Sequence, residues 1–348
     1  MNLSDDSTKI LNSAKLNKED DEEYIEGGNE SIFYRVGNEE NQTFLNMNPH
    51  FHSTVYLNQM TKLQQLVFYF MIEIKPLSLL LDIVQYPQKS QKWKKARVGR
   101  MTGSVAASAV GQQRITKVKK AAWDIIYKIF KPVPATIWGT DHEPDATQSY
   151  VNDLYLNVVK IFREQRKNGS IEQQNNHFLF RGQLIPIINI KKDPIIEIRH
   201  YALLIDPYNP WRGMSPDGVI FINDVAVGVL EVKCPYGSYT QQYWLYVNMK
   251  TYYYNQTQCE LYLCNLYWPT IKWVDFVVWS PTLFTVETMI FDAEYFYSWY
   301  LPRELRFYFH CYLPILVERL LYLTRKEYLT LFPSVEQMLI ILKKHFSL

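Results

Sequence analysis

The stretch that decides the fold is Val225-Ala-Val-Gly-Val-Leu-Glu-Val-Lys233, which follows Ser215-Pro-Asp-Gly218. Residues 225–230 are apolar or small throughout, which is typical of a β-strand buried on both faces. Successive side chains of a strand point to opposite faces, so Glu231 and Lys233 share one face. A carboxylate and an ammonium group at the end of a buried strand are costly unless other charges compensate them. These two residues are therefore candidates for a functional site.

Asp217 lies fourteen residues before Glu231, with Asn223-Asp224 between them. Asn and Asp suit the left-handed positions of a tight hairpin turn, and antiparallel pairing across it would bring Asp217 close to Glu231. Two carboxylates with a nearby amine can hold a hard divalent cation beside a phosphodiester, so a metal-dependent nuclease is the leading hypothesis. Each motif alone is weak. Ser-Pro-Asp-Gly is a common turn, and Glu73-Ile-Lys75 repeats the Glu-x-Lys pattern in a helical context.

Charge and composition divide the chain into three parts. Residues 1–50 hold eleven acidic and four basic residues, a net charge of −7, and are expected to be disordered because they offer little apolar surface. Residues 51–292 are predicted to form the nuclease domain, and residues 293–348 a C-terminal helical extension packed on it. Since the whole chain carries +2, residues 51–348 carry +9. The basic stretch 89–131 fits either contact with a polyanion or a solvated helix face.

The periodicity predicts helices, then a series of strands, then further helices. Helical patterns cover residues 55–84, 103–110, 118–130 and 241–266, and the C-terminal part from Ala293, with kinks near Pro302 and Pro314. Another helix is expected to be capped by Thr140 or Asp141, with Pro144 in its first turn and its end near Arg166. Strand patterns cover residues 178–190, 195–205, 218–222, 225–233, 271–279 and 284–291. The predicted class is α/β (α+β), with a mixed, mostly antiparallel central sheet flanked by helices.

The four cysteines lack zinc-ligand spacing and are expected to be reduced, buried thiols. We therefore expect an intracellular protein of a reducing compartment, nuclear or cytoplasmic. The most apolar stretch, 66–84, is interrupted by charged residues and Pro76, so no association with a membrane is expected.

Five motifs in order resemble the phage lambda exonuclease and YqaJ-type viral recombinase family of the PD-(D/E)xK nuclease superfamily. The resemblance covers roughly residues 90–300. The matching segments are Arg97–Ser104, Gly139–Ala146 followed by Tyr150, Ser215–Gly218, Leu230–Pro235 and Asn255–Gln258. The family implies a restriction-endonuclease-like core.

The resemblance also implies roles for individual residues. The catalytic set would be Asp217, Glu231, Lys233, Glu143 and Gln256. The metal ligands for Mg²⁺ or Mn²⁺, two ions in all, would be Glu143, Asp217, Glu231 and the backbone carbonyl of Val232. Arg97 and Ser104 would anchor the 5′ phosphate of the DNA.

Each of these residues also has a simpler interpretation from its position alone. Glu143 could be an acidic residue in the first turn of a helix, and Lys233 a surface lysine that ends a strand. Gln256 could be a surface glutamine, and Arg97 part of a solvated basic segment. Arg100 could replace Arg97, although the spacing to Ser104 favours Arg97.

By resemblance, the expected activity is 5′-to-3′ exonuclease digestion of linear double-stranded DNA in recombination, replication or repair. The alternatives are a structure-specific endonuclease of the same fold and a nucleic-acid-binding protein that does not cut. The family also implies a toroidal homo-oligomer and a single-strand annealing protein as partner. The chain departs from the lambda pattern ten positions before Asp217, where Pro207 stands in place of an acidic residue; the adjacent Asp206 is assigned no role.

Overall fold

The computed structural model describes residues 86–322 apart from 104, 106–109, 111–114, 128–130 and 238–248. The acidic segment 1–50, the helical pattern at 55–84 and the chain beyond 322 therefore lie outside the described residues. So do Ser104, most of the helix expected at 103–110, and the first residues of the helix expected at 241–266.

Seven α-helices and nine strands follow one another in the described chain. The helices are α1 (Gln91–Arg97), α2 (Ile115–Tyr127), α3 (Pro134–Lys167), α4 (Ser170–Gln173), α5 (Met249–Tyr267), α6 (Leu301–Phe307) and α7 (Leu313–Tyr322). The strands are β1 (His177–Phe180), β2 (Gln183–Pro186), β3 (Ile196–Arg199), β4 (Leu204–Ile205), β5 (Gly213–Met214), β6 (Gly218–Ile222), β7 (Val225–Lys233), β8 (Trp273–Ser280) and β9 (Leu283–Ile290). Two π-helical turns, Tyr295–Tyr300 and Tyr308–Tyr312, precede α6 and α7.

The central sheet has five strands in the order β3-β6-β7-β8-β9. Strands β7 and β8 pair in parallel, and the other neighbours pair antiparallel. The apolar strand β7 lies in the middle of the sheet and is buried over most of its length, as its composition predicts. The expected mixed, mostly antiparallel sheet flanked by helices is confirmed.

A tight hairpin turn joins β6 and β7 at the predicted position. Asn223 and Asp224 have φ values of 49° and 66°, the left-handed conformation that short polar residues tolerate. The sequence did not reveal a bulge next to this turn. Phe221 pairs with Ala226 and Ile220 with Gly228, so Val227 is an extra residue in β7.

The bulge determines to which face of the sheet the side chains on either side of it point. The bulge residue Val227, and Leu230 and Val232 beyond it, pack in the core beneath α3. Val229 packs on the opposite face, in the core shared with α5 and the C-terminal helices. Because side chains alternate along a strand, Glu231 lies on the same face as Val229, towards α5.

Helix α3 begins earlier than its sequence predicts. The expected start was Thr140 or Asp141, but the helix begins at Pro134, which supplies a favourable first residue, and Pro144 lies inside it. Glu143 is therefore the tenth residue of the helix, counted from Pro134, and not part of its first turn. A proline inside a helix cannot donate its backbone hydrogen bond, and this loss is offset here by packing of the buried face of α3 on the sheet.

The other differences are local. The strand pattern at 178–190 forms the hairpin β1–β2, because Arg181 and Gly182 adopt positive φ values of 44° and 76° between the two strands. In the C-terminal helices, Pro302 and Pro314 are each the second residue of an α-helix that follows a π-helical turn. A proline has no backbone N–H to donate to the hydrogen-bond ladder of a helix. The irregularity expected near these residues is a π-helical turn, which is wider than an α-helical one.

A buried cluster of charges joins the C-terminal helices to the sheet domain. Arg212 binds Asp206 at 2.8 Å and Glu304 at 2.5 Å, and all three side chains are fully buried. Burial alone would lower the pKa of Arg212, but the two carboxylates outweigh it and raise that pKa well above its usual range. Asp206, which the sequence left without a role, therefore contributes to this buried cluster.

We predict that Arg212→Met lowers the free energy of unfolding by about 3–5 kcal/mol, because two carboxylates would remain buried without their cation. Arg163→Ala is the matched control, since Arg163 pairs with Asp193 at 2.6 Å on the exposed surface, and it should leave stability almost unchanged. Urea denaturation of both variants tests this; equal losses would contradict it.

Candidate active site

Asp217 is held against β7 by the hairpin. Gly218 pairs with Leu230, and the Oδ2 atom of Asp217 accepts a hydrogen bond of 2.7 Å from the backbone N–H of Val232. Gly218 is needed here, because an added Cβ atom would lie 2.3 Å from the Ile198 side chain on β3. The hairpin therefore brings Asp217 to the end of β7, as its sequence predicts.

Two donors converge on one oxygen atom of Glu231. The Lys233 ammonium group donates to Oε1, and Gln256 of α5 donates its Nε2 hydrogen to the same atom at 2.6 Å. The second oxygen, Oε2, is buried and has no hydrogen-bond partner among the described residues. Gln256 is itself buried, so it is not the surface glutamine that its position alone suggested.

The proximity of like charges shifts the protonation equilibria of the site. Burial and the neighbouring Glu231 raise the pKa of Asp217 to about 7. Burial lowers the pKa of Lys233, but Glu231 and Asp217 outweigh it and leave that pKa above its usual range. The lysine is therefore a cation that balances the charge of the two carboxylates.

Glu143 faces this group from α3. Burial and then the charge of Asp217 raise the pKa of Glu143, whereas electrostatic interactions with Lys89, Lys233 and His200 lower it. Glu143, Lys89 and His200 line one pocket of about 350 Å³. His200 also donates from Nδ1 to the backbone carbonyl of Asp217 at 2.6 Å. Helix α3 thus brings a third carboxylate into the electrostatic range of the hairpin.

Oxygen donors of this kind fit a hard divalent cation such as Mg²⁺ or Mn²⁺. The buried, unpartnered Oε2 atom of Glu231 and the raised pKa of Asp217 are both features that a bound cation would relieve. Within the described part of the chain, however, no three His, Cys, Asp or Glu side chains already form a compact metal-binding group. The ammonium group of Lys233 lies against Glu231 instead. No contact of the Val232 carbonyl bears on its predicted role as a ligand, which stays a prediction.

Sequence reasoning missed one buried carboxylate of the site, Glu260. Its Oε1 atom accepts a hydrogen bond of 2.9 Å from Gln256 Nε2, and its Oε2 atom is buried without a partner in the part of the chain that the structure describes. Burial and the charge of Glu231 raise the pKa of Glu260 well above its usual range. The signal available in the sequence was a single acidic residue in the apolar stretch that follows Gln256. Glu260 lies four residues after Gln256 and therefore on the same face of the helix.

Arg97 and Arg100, the two candidates for the phosphate anchor, differ in their contacts. Arg100 donates to the backbone carbonyls of Pro210 and Ala96 at 2.8 and 2.6 Å, so its guanidinium group holds the local backbone together. Arg97 donates to Thr102 Oγ1 at 3.0 Å and lies over the Trp93 ring. In the described residues no carboxylate pairs with Arg97, and burial lowers its pKa to about 10.

The structure also describes the state of the cysteines and the length and polarity of the helices. Cys234, Cys259, Cys264 and Cys311 are all buried with free thiols. No helix among the described residues is both long and apolar enough to cross a membrane.

A model of the YqaJ-like viral recombinase domain matches residues 92–181 and 189–266 of this chain. These segments contain the hairpin carboxylates, Lys233, Glu143, Gln256 and Arg97. The chain belongs to the YqaJ-like viral recombinase family, for which the five motifs imply a restriction-endonuclease-like core.

Among solved structures, the chain is similar to LHK-Exo, an alkaline exonuclease from Laribacter hongkongensis. A crystal structure of LHK-Exo in complex with dAMP matches at 18% identity with a TM-score of 0.42, covering 66% of this chain and 96% of that one. A second structure of the same exonuclease matches at 19% identity with a TM-score of 0.40, covering 68% and 98%. No curated protein sequence matches this chain significantly.

We predict that Asp217→Asn stabilises the protein when a chelator keeps metals away. The asparagine keeps an oxygen for the Val232 N–H but removes a charge next to Glu231. Since the folded-state pKa of Asp217 is raised to about 7, the neutral carboxyl contributes stability below its unfolded pKa, and this contribution is lost as the pH rises through about 7. The gain in Tm should therefore be larger at about pH 8 than at about pH 5.

Thermal denaturation at the two pH values measures this gain, with Asp193→Asn as the control at an exposed ion pair. A gain of 1 kcal/mol corresponds to roughly 2–4 °C in Tm for a domain of this size. A loss of stability in Asp217→Asn at the higher pH would contradict the electrostatic account.

Proposed function

We propose that this protein is a metal-dependent deoxyribonuclease that acts as a 5′-to-3′ exonuclease on linear double-stranded DNA. The family supports a nuclease of the lambda exonuclease type. The observation that carries the proposal is the convergence of Asp217, Glu231 and Lys233 at the end of one hairpin, where one buried oxygen of Glu231 has no partner among the described residues. The biological setting would be recombination, replication or repair.

The carboxylates of Glu143, Asp217 and Glu231 and the carbonyl of Val232 would hold Mg²⁺ or Mn²⁺, as two ions in the family pattern. When bound, such cations activate water and stabilise the charge on the leaving oxygen. The side chains present suit this role, because Glu143 lies within electrostatic range of Asp217 and, among the described residues, Lys233 is the cation that pairs with Glu231.

Lys233 holds a positive charge beside the position of the scissile phosphate. Its raised pKa favours a role in orienting water and offsetting the negative charge of the transition state over a role as general base. Gln256 holds Glu231 through the 2.6 Å hydrogen bond and so fixes the carboxylate that faces the cation.

Arg97 supports action from DNA ends. A guanidinium group that is largely desolvated and has no described carboxylate partner can bind a terminal phosphate by two parallel hydrogen bonds. Ser104 would complete this anchor but lies outside the described residues. The pocket lined by Lys89 and His200 offers a path for the DNA backbone next to Glu143.

The wider setting follows from the family alone. We propose double-stranded DNA as the substrate, a toroidal homo-oligomer as the assembly and a single-strand annealing protein as partner, inside a reducing compartment of the cell.

We predict Mg²⁺- or Mn²⁺-dependent degradation of linear duplex DNA, faster with a 5′ phosphate than with a 5′ hydroxyl, and no cutting of closed circles. Asp217→Asn should abolish cleavage and leave DNA binding largely intact, since it removes a metal ligand but no cation that meets phosphates. Gel assays with the three substrates and a binding titration measure these outcomes. Equal cutting of all three would indicate an endonuclease, and binding without cleavage of any DNA would indicate a non-cleaving binder.

We predict that Arg97→Ala slows digestion of 5′-phosphorylated ends by about 10–100-fold, the effect of losing charged hydrogen bonds to a phosphate. Digestion of 5′-hydroxyl ends should change little, because they lack the group that Arg97 would bind. The matched control is Arg163→Ala, which removes an exposed arginine of α3. If Arg97→Ala slows both kinds of end equally, Arg97 does not recognise the terminal phosphate.

A further inference from the structure

We infer that Glu260 is a positioning residue that sets the orientation of Glu231 through Gln256 and thereby keeps one oxygen of Glu231 free for a cation. The inference rests on the proposed function, since it assumes that Glu231 binds a divalent metal. Glu260 lies on α5, outside the predicted set of site residues.

The first argument is the shared donor. The Nε2 atom of Gln256 donates to Glu231 Oε1 at 2.6 Å and to Glu260 Oε1 at 2.9 Å, so both of its hydrogens are used. The amide group of Gln256 therefore cannot rotate about its terminal torsion without breaking one of these two hydrogen bonds. Glu260 therefore fixes the amide of Gln256.

The second argument concerns the two oxygens of Glu231. Gln256 and Lys233 both bind Oε1, and within the described chain Oε2 is left buried without a partner. Had the amide of Gln256 been free to turn, a donor could have satisfied Oε2 and competed with a cation for it. Because both donors bind Oε1, Oε2 stays available for a cation.

The third argument is the close packing around the pair. Gly103 lies against them: an added Cβ would be 3.2 Å from Gln256 Cγ, 3.1 Å from Met214 Sδ and 3.5 Å from Glu260 Oε1. Glu260 and Gln256 are both buried, with 1% and 8% of their surfaces exposed. A carboxyl group in such a place is costly, and an apolar side chain would serve a purely structural role better.

The test compares Glu260→Gln with Glu260→Leu. Glutamine keeps an oxygen at the position that accepts from Gln256, whereas leucine keeps the size but removes the acceptor. Calorimetric titration of each full-length variant with Mn²⁺ should show wild-type affinity within about threefold for Glu260→Gln, and affinity weaker by about 10–100-fold for Glu260→Leu. Gln256→Leu should weaken Mn²⁺ binding similarly, and the double variant should be no worse than the single ones because both act through one hydrogen bond.

Gln258→Leu is the matched control on the same helix. Gln258 is also a buried amide with two hydrogen bonds, to the carbonyl of Ile290 and from the N–H of Asp292, but neither partner belongs to the site. Its replacement should lower Tm without changing the affinity for Mn²⁺. Glu260→Leu should in addition lower kcat with an unchanged KM for DNA, and excess Mn²⁺ should restore part of the loss.

Unchanged Mn²⁺ affinity in Glu260→Leu, or an equal loss in Glu260→Gln, would overturn the inference. If the wild type binds Mn²⁺ in the way described but degrades no DNA, the proposed function fails and the inference about Glu260 stands on the calorimetry. If the wild type binds no Mn²⁺, both fail together.

Discussion

The repulsion between Asp217 and Glu231 is the constraint on which the rest of the site depends. Their approach is imposed by the backbone, because the hairpin places Asp217 against the Val232 N–H and β7 fixes Glu231 in the middle of the sheet. The apolar packing on both faces of β7 offsets the cost of holding the charges together. Lys233 offsets part of it directly, as the cation bound to Glu231. A sheet this well packed can hold an arrangement of charges that is unfavourable on its own.

The sequence alone was sufficient for the part of the site that is local along the chain. Asp217, Glu231 and Lys233 lie within one hairpin, whose turn residues and strand pattern determine which atoms meet. Even so, the bulge at Val227 was not foreseen, because one extra residue in a uniformly apolar strand leaves no mark in its periodicity. The family resemblance, not the spacing, singled out Glu143, Gln256 and Arg97.

The features that could not be predicted from the sequence depend on contacts between segments that are far apart along the chain. The start of α3 was misplaced because Thr140 and Asp141 are good caps, whereas the packing of the helix on the sheet extends it back to Pro134. Glu260 was missed because its importance comes from Gln256 meeting a strand 25 residues earlier in the chain. A lone acid in an apolar helix is ambiguous until the element that it faces is known.

The two buried clusters of charge in this protein differ in a way that separates stability from function. Around Arg212, both oxygens of Asp206 and both of Glu304 accept hydrogen bonds. Every carboxylate oxygen of this cluster therefore has a donor. Around Lys233, by contrast, one oxygen of Glu231 and one of Glu260 remain buried with no donor among the residues that the structure describes. A buried carboxylate left open costs free energy in the folded protein, and a structural role would not require that cost. The incomplete cluster is therefore the one that the proposed cation would complete.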